Sequence, residues 1–370
     1  MRLGLLIYGS LDTLSGGYLY DRKLVEALQR AGDSVEIISL PWRSYPAHLG
    51  DNLSPALLQR LEALDVDVLL QDELNHPSLF ALNPRLRQRV KFPILSIVHH
   101  LRSSEEHPAW ANRFYAWVEG RYLNSVDGFI FNSQTTRQVV EERLLKPRPA
   151  VVAHPAGNQF ANLPDAAAVR QRCRQPGPLR LIFIGNVIRR KGLGWVLSEL
   201  GRLPAGTCEL DVVGGLRVEP AYAAELQQQA RHMQTRGAAS VHFWGGLPDA
   251  ELEERLKASQ VLVVPSSYEG FGIVYLEAMS CGVLPLASTL GAAGEIITHG
   301  ENGFLLSPGR LGALSELVTR LEQDRDLLER LSLAAQRHFL DFSTWDQTTA
   351  AIRGFINRFL DTWRPDDDHP

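Results

Sequence analysis

Val261-Leu-Val-Val-Pro-Ser-Ser-Tyr-Glu-Gly-Phe-Gly-Ile-Val-Tyr-Leu-Glu-Ala-Met-Ser-Cys-Gly282 reads as a strand, a turn and a helix in direct succession. The apolar run Val261–Val264 is the strand, and Pro265 ends it because proline has no N–H to donate. Gly270 and Gly272 flank Phe271 in a turn that lets backbone amides, continuing to Ile273, approach a ligand closely. A helix then runs to about Cys281, with Gly282 as its stop signal. Two acids stand eight positions apart in this unit. Glu269 closes the strand side, and Glu277 lies about five residues into the helix, roughly 7.5 Å up an axis that rises ~1.5 Å per residue. Both carboxylates can therefore face one ligand. Exposed amides and a helix N-terminus favour a phosphate, and an ionised carboxylate accepts two hydrogen bonds from a vicinal diol. A nucleotide-sugar carries all of these groups. The alternative makes Glu269 a solvated loop acid and Glu277 a glutamate favoured by the helix dipole.

Outward from this unit the same alternation recurs. In the first half, strands read at Leu3–Tyr8, Ser34–Leu40, Val66–Gln71, Ile94–Val98, Gly128–Phe131 and Ala150–Ala153, with a Gly16-Gly17 loop and a helix at 20–31 after the first. Repeated strand and helix is the signature of a parallel sheet covered on both faces. The stretch 154–178 is rich in Pro, Ala and Gly and holds the breaker Gln175-Pro-Gly-Pro178, so the domain boundary is expected there. The pattern then restarts at Leu179–Ile184 and continues through Glu209–Val213, Ser240–Trp244, Val261–Val264 and Val283–Ala287. The fold class is α/β, two doubly wound domains facing a central cleft, with ligands expected at the strand ends. The boundaries are an N-terminal domain over 1–160, a linker over 161–178, a second domain over 179–343, and a last helix over 344–363. Asp366-Asp-Asp-His369 reads as a frayed tail.

Composition narrows the function classes. With 370 residues, 45% hydrophobic and 22% charged, the chain has the balance of an ordinary globular protein of two domains. A formal net charge of −4 supplies no global basic field, so nucleic acid is not an expected partner. Cys173, Cys208 and Cys281 are odd in number and widely spread, which argues against a disulfide framework or a zinc site and fits a cytoplasmic protein. The N-terminus enters a strand without signal-peptide architecture, and no apolar run approaches the ~20 residues of a membrane span. Any membrane contact is expected to be peripheral, on the cytoplasmic face.

Further candidate groups lie at other strand ends. Leu181-Ile-Phe-Ile-Gly-Asn-Val-Ile-Arg-Arg-Lys-Gly192 places Arg189, Arg190 and Lys191 before a helix, where an anion among them offsets their repulsion and the opposing dipole; the other reading is a solvated charge cluster. Gly16 and Gly17 form the matching phosphate-sized loop of the first half, without the Gly-x-Gly-x-x-Gly fingerprint. His99 and His100 follow the strand Ile94–Val98, where an imidazole can polarise or accept from a hydroxyl, and either can be the one that faces the cleft. His99, first after the strand, is preferred. Asp65-Val66-Asp67 resembles a metal-holding Asp-x-Asp, but its place between helix stop and strand entry makes it structural, and no metal is expected. The run 84–91, with Arg85, Arg87, Arg89 and Lys91, reads as a solvated turn and leaves contact with anionic lipid open. Trp42, Tyr45, Trp110, Phe114 and Trp117 form either an aromatic platform or core, with core preferred.

Together these residues resemble the GT-B-fold, retaining, nucleotide-sugar-dependent glycosyltransferases of family four. The resemblance rests on Glu269-Gly-Phe-Gly-Ile-Val-Tyr-Leu-Glu277-Ala-Met, Arg190-Lys191-Gly192, Gly291-Ala-Ala-Gly-Glu-Ile-Ile297, Gly300-Glu-Asn-Gly-Phe-Leu305 and the Gly16-Gly17 loop. It implies two Rossmann-like domains and a hexosyltransferase acting on a UDP- or GDP-sugar, with a saccharide, lipid-linked or small-molecule acceptor and no metal or other cofactor. In that frame Glu269, with the amides of Phe271 and Gly272, holds the donor sugar, Glu277 takes the ribose, Arg190 and Lys191 neutralise the leaving diphosphate, Gly17 brings an amide to the distal phosphate, and His99 lines the sugar side. Catalytic roles would fall to His99, Glu269, Arg190 and Lys191, and donor binding to Gly16, Gly17, Asn186, Gly270, Phe271, Gly272, Ile273 and Glu277. Asn186 departs from the family, which often has arginine after the strand-ending glycine. The last helix, through Phe355–Trp363, is of the kind that returns to the first domain. A nucleotide-sugar epimerase and a degenerate sugar-nucleotide binder are the alternative readings; a nicotinamide oxidoreductase is weaker for want of the glycine fingerprint.

Overall fold

The computed structural model describes residues 1–13, 15–158, 160, 162–235 and 239–364. The chain divides into two units, one of Met1–Pro155 joined by the chain from Ser343 onward, the other Ala156–Phe342. The first is built on β1 (Arg2–Tyr8), β2 (Ser34–Leu40), β3 (Val68–Asp72), β4 (Ile94–Val98), β5 (Gly128–Phe131) and β6 (Ala150–Val152), in the order β2-β1-β3-β4-β5-β6. All of these pairings are parallel. Central strands β3, β4 and β5 are buried at every position, the polar Gln71, Asp72 and Ser96 included, as middle strands of a covered parallel sheet are, whereas edge strand β2 is largely exposed. The core gathers Leu6, Tyr8, Leu69, Ile94, Val98, Phe129 and Phe131.

The second unit repeats the plan with β7 (Leu179–Ile184), β8 (Cys208–Val213), β9 (Ser240–Gly245), β10 (Val261–Val264), β11 (Leu284–Ser288) and β12 (Phe304–Leu306), in the order β12-β11-β10-β7-β8-β9, again all parallel. β10 and β7 are direct neighbours, Val261 opposite Leu181 and Leu262 opposite Ile182. The loops that leave their carboxyl ends are thereby set side by side.

Three sequence expectations change. The stretch 161–178 is not a free linker: Asp165 caps a helix Ala166–Cys173 by accepting from the Ala168 amide, and the helix belongs to the second unit. Arg172 fixes it there, donating to the carbonyls of Cys281 (2.8 Å), Gly282 (2.6 Å) and Lys257 (3.0 Å). The boundary falls at Pro155, and the breaker 175–178 merely ends that helix. β12 was not anticipated, because three residues after a turn carry no readable period. The first helix starts at Gly16, with Ser15 as its cap, so Gly16 and Gly17 are its first turn and not a loop.

The last helix, Trp345–Thr362, is set by a capping box between Thr344 and Gln347 and lies on the first unit. Thr348 donates to the His154 carbonyl (2.7 Å), Arg353 pairs with Asp33 (2.6 Å), and the Trp345 ring meets Tyr20 edge-on at 5.8 Å. Asp366–His369, read as a frayed tail, lie outside the described residues. Cys173, Cys208 and Cys281 are buried free thiols. Among the described residues no helix is long and apolar enough to cross a membrane.

Candidate active site

In the second unit the loops after β7 and β10 are stitched together. Ser267 donates its amide to the Arg190 carbonyl (2.8 Å), and a Cβ on Gly192, at φ +79°, would stand 2.7 Å from the Pro265 carbonyl. This contact sets the Arg189–Lys191 turn against the Glu269 loop. The Lys191 ammonium lies 2.5 Å from Glu269 Oε1, the Ser266 hydroxyl donates to the same oxygen at 2.6 Å, and Arg190 Nη1 stands 3.7 Å from it while donating to the Tyr268 carbonyl at 2.5 Å. Burial alone would raise the Glu269 carboxyl; the charges of Lys191 and Arg190 and the two hydrogen bonds outweigh it and hold the group below the usual range. The result is a buried carboxylate, ionised at neutral pH, that gathers two cations about one oxygen.

Backbone geometry keeps it in place. A Cβ on Gly291, at φ +73°, would sit 2.5 Å from the Glu269 carbonyl oxygen and 2.7 Å from its nitrogen, and the Ala292 amide donates to that carbonyl at 2.9 Å. Gly272, at φ +95°, opens the helix Ile273–Ser280 with its Cβ position 2.4 Å from the Tyr275 ring; the Tyr275 hydroxyl in turn bonds the Val264 carbonyl (2.9 Å). Phe271 and Ile273 are buried, Gly270 is half-buried, and Glu277 is the fifth residue of the helix and buried. Gly157 packs against the helix backbone beside it, its Cβ position 3.1 Å from the Glu277 nitrogen.

Two of the expected groups have protein partners on neighbouring elements. The Asn186 side-chain oxygen accepts from the Gly215 amide (3.2 Å), and the Val187 amide bonds the Gly215 carbonyl (2.9 Å), so Asn186 ties the β7 loop to the β8 loop. Arg189 does not join the cation pair: it faces Glu225 (3.8 Å) and lies over the Tyr222 ring at 4.5 Å.

In the first unit, Gly17 brings the first helix against His99, its Cβ position only 3.1 Å from the imidazole Cδ2. One turn further on, Asp21 is fully buried and its Oδ1 lies 3.2 Å from His99 Nε2; Tyr20 meets the ring edge-on at 5.3 Å. Burial disfavours the charged imidazole, but the charge and hydrogen bond of Asp21 and the charges of Asp72 and Glu73 prevail and push it up to about 9. Asp72, at the end of β3, is itself pushed up to about 7 by burial and by Asp21, and Glu73 to about 8 by burial and Glu119. His100 pairs instead with Glu105 (3.0 Å). Asp21, Asp72 and Ser266 were not among the sequence candidates; isolated acids and serines carry no periodic signal.

Asp21, Asp72 and His99 each place one ligand-type atom within 4.8 Å of the others, as do Glu73, His76 and Glu119. The second group is a closed network: Glu119 takes the Ser103 amide and Arg143, and His76 meets Tyr45 at 3.1 Å. Asp65 and Asp67 both pair with Arg2, the structural role expected of them. The basic run is equally committed: Arg85 bonds the Asn52 carbonyl (2.8 Å), Arg87 pairs with Asp127, and Arg89 with Glu62 (3.2 Å). The aromatic residues reverse their expected place: Trp42, Trp110, Phe114 and Trp117 are exposed rather than core.

A doubly wound pair of parallel sheets, with a cation-bearing loop at the carboxyl end of one, defines a ligand-binding α/β protein of two similar domains. Residues 168–338 match the model of glycosyl transferases group 1, and residues 21–157 that of the glycosyl transferase 4-like domain, so the chain belongs to the group 1 glycosyltransferases, an enzyme family. Glycogen synthase of Mycobacterium tuberculosis is 26% identical over 284 residues, 75% of this chain and 64% of that protein, so the chain matches somewhat under two thirds of that relative's length. The fold is GT-B. Sucrose-phosphate synthase of Thermosynechococcus elongatus superposes with a TM-score of 0.82 at 20% identity, over 98% of this chain and all of that one. Anabaena HepE, solved with UDP and glucose, superposes with a TM-score of 0.76 at 20% identity, over 97% and 100%.

Proposed function

We propose that the protein transfers a hexose from a nucleoside diphosphate sugar, a UDP- or GDP-sugar, to an acceptor hydroxyl, with retention of anomeric configuration and without a metal. The observation that carries the reading is the Lys191–Glu269 ion pair with Arg190 beside it. A buried carboxylate that holds two cations at one loop keeps them oriented before any substrate arrives. Charge develops on the diphosphate as the glycosidic bond breaks, and donors fixed in advance stabilise that charge without reorganising. In this reading Lys191 and Arg190 face the leaving diphosphate, Glu269 and the amides of Phe271 and Gly272 hold the sugar hydroxyls, Glu277 takes the ribose diol, and Gly17 and His99 serve the distal phosphate and sugar. The UDP and glucose bound by the Anabaena protein support a UDP-sugar as the first donor to try. Saccharide, lipid-linked and small-molecule acceptors all remain in the proposal, in the cytoplasm.

The test is a thermal-shift screen over UDP-, GDP- and ADP-sugars, since a ligand bound only by the folded state raises Tm by mass action. A shift with one donor, followed by release of its nucleoside diphosphate in the presence of acceptor, is the expected result. An epimerised sugar formed from donor alone, or binding without turnover against any acceptor, would overturn it.

A further inference from the structure

The first unit carries an aromatic face that the transferase reading does not use. The helix Ala109–Leu123 turns Trp110, Arg113, Phe114, Trp117 and Arg121 outward, at i, i+3, i+4, i+7 and i+11, which is a single stripe on a helix. Trp110 is 76% exposed, Trp117 52% and Phe114 39%. The opposite face is spent on the unit itself, with Ala111, Val118, Tyr122 and Leu123 buried. Glu119, the one acid of this helix, also points inward, where it holds Ser103 and Arg143. Phe114 and Trp117 stack at 6.3 Å, and the Arg121 guanidinium lies 5.4 Å over Trp117.

We propose that this stripe is a docking surface for an anionic lipid bilayer, with Trp110, Phe114 and Trp117 at the boundary between headgroups and acyl chains and Arg113 and Arg121 on lipid phosphates. Charge complementarity selects the occupant. The stripe is cationic and free of acids along the helix, with Glu106 the nearest exposed acid in sequence, just ahead of it. Indole rings with an apolar body and one polar N–H sit at the level of headgroups, and guanidinium groups add electrostatic attraction to anionic lipid. A saccharide would also stack on the rings, but it calls for carboxylates or amides beside them to accept from its hydroxyls, and this stripe supplies guanidinium and indole donors without such acceptors. The proposal replaces the basic run 84–91 as the lipid-facing element, because its arginines already have protein partners. It is independent of which donor sugar the enzyme uses.

The experiment is sedimentation of the full chain with vesicles of phosphatidylcholine alone and of phosphatidylcholine mixed with phosphatidylglycerol. Wild type should sediment with the mixed vesicles at low salt, lose binding as salt rises, and bind neutral vesicles at least about tenfold more weakly. Trp110→Ser with Trp117→Ser, and separately Arg113→Glu with Arg121→Glu, should each lower binding to mixed vesicles by at least about tenfold. The charge-reversal pair leaves the rings and the buried face in place, so it decides the matter should the serine pair fold poorly by circular dichroism. Failure of wild type to bind mixed vesicles, or unchanged binding in the folded variants, overturns the proposal. So does protection of tryptophan fluorescence by a neutral oligosaccharide without vesicle binding, which would assign the stripe to carbohydrate.

Discussion

His99 Nε2 and Asp21 Oδ1 are 3.2 Å apart, and the second Asp21 oxygen is buried with no hydrogen-bond partner among the described residues. The imidazole therefore stands beside a carboxylate whose charge it answers almost alone, with Asp72 and Glu73 adding to the same field. A protonated ring donates from both nitrogens, so with Nε2 given to Asp21 the remaining function is donation from Nδ1. Of the two roles read from the sequence, polarising a hydroxyl or accepting from one, donation from Nδ1 serves the first.

The first prediction follows from this pair. A folded value near 9 against the ordinary value near 6.5 means that the stabilisation from His99 is full below about pH 6.5, declines as pH rises, and is gone above about 9. Ring-proton NMR should show His99 titrating well above the ordinary imidazole value near 6.5. In Asp21→Asn the midpoint should fall towards 6.5, and the alkaline limb of kcat/KM should move down with it. An unshifted midpoint in that variant would remove Asp21 as the cause.

The second prediction concerns the cation loop. Lys191→Ala and Glu269→Ala should each lower kcat/KM by at least about tenfold, a loss of roughly 1.4 kcal/mol or more of transition-state stabilisation. The two changes should not add, because Glu269 orients the ammonium that Lys191 supplies. A double variant whose loss equals the product of the single losses would show that the ion pair is incidental to transfer.

The fold was legible to the extent that each element was long or periodic. β4, β5, β7 and β10 match their expected bounds because each is a short, mostly apolar run with a Gly or Pro at one end or beside it: Pro93, Gly128, Pro178 with Gly185, and Pro265. The 166–173 helix was hidden because its anchor is a side chain, Arg172, reaching carbonyls about a hundred residues away. In the site, Glu269, Arg190 and Lys191 were visible as charges out of place in a loop, and the structure brings them together. The bond between Asn186 and the Gly215 amide was not legible, because the two lie on different loops and sequence spacing carries no information about which loops meet.

The third prediction tests how the Glu269 loop is held. Alanine at Gly291 combines a left-handed backbone, worth about 1–2 kcal/mol for a residue with a side chain, with a Cβ 2.5 Å from the Glu269 carbonyl. Gly291→Ala should lower Tm and should weaken donor binding more than it lowers stability, since the backbone that must move is that of Glu269. Calorimetric titration of the donor against this variant and against Gly309→Ala separates the two effects. Gly309 has the same backbone conformation, at φ +83°, with open space around its Cβ position.

The last prediction concerns Arg172. Arg172→Met keeps the aliphatic stem and removes the donors to the Cys281, Gly282 and Lys257 carbonyls, leaving buried acceptors without their guanidinium. Each unsatisfied buried group costs about 1–3 kcal/mol, so a total of about 3 kcal/mol or more is expected. If the 166–173 helix is an integral layer of the second unit, the loss must be local to that unit. Hydrogen exchange should then accelerate across β7–β12 while the amides of β1–β6 keep their protection. Equal loss in both sheets would mean that the helix stabilises the chain as a linker between two units, and unchanged exchange would mean that its carbonyl contacts contribute nothing to stability.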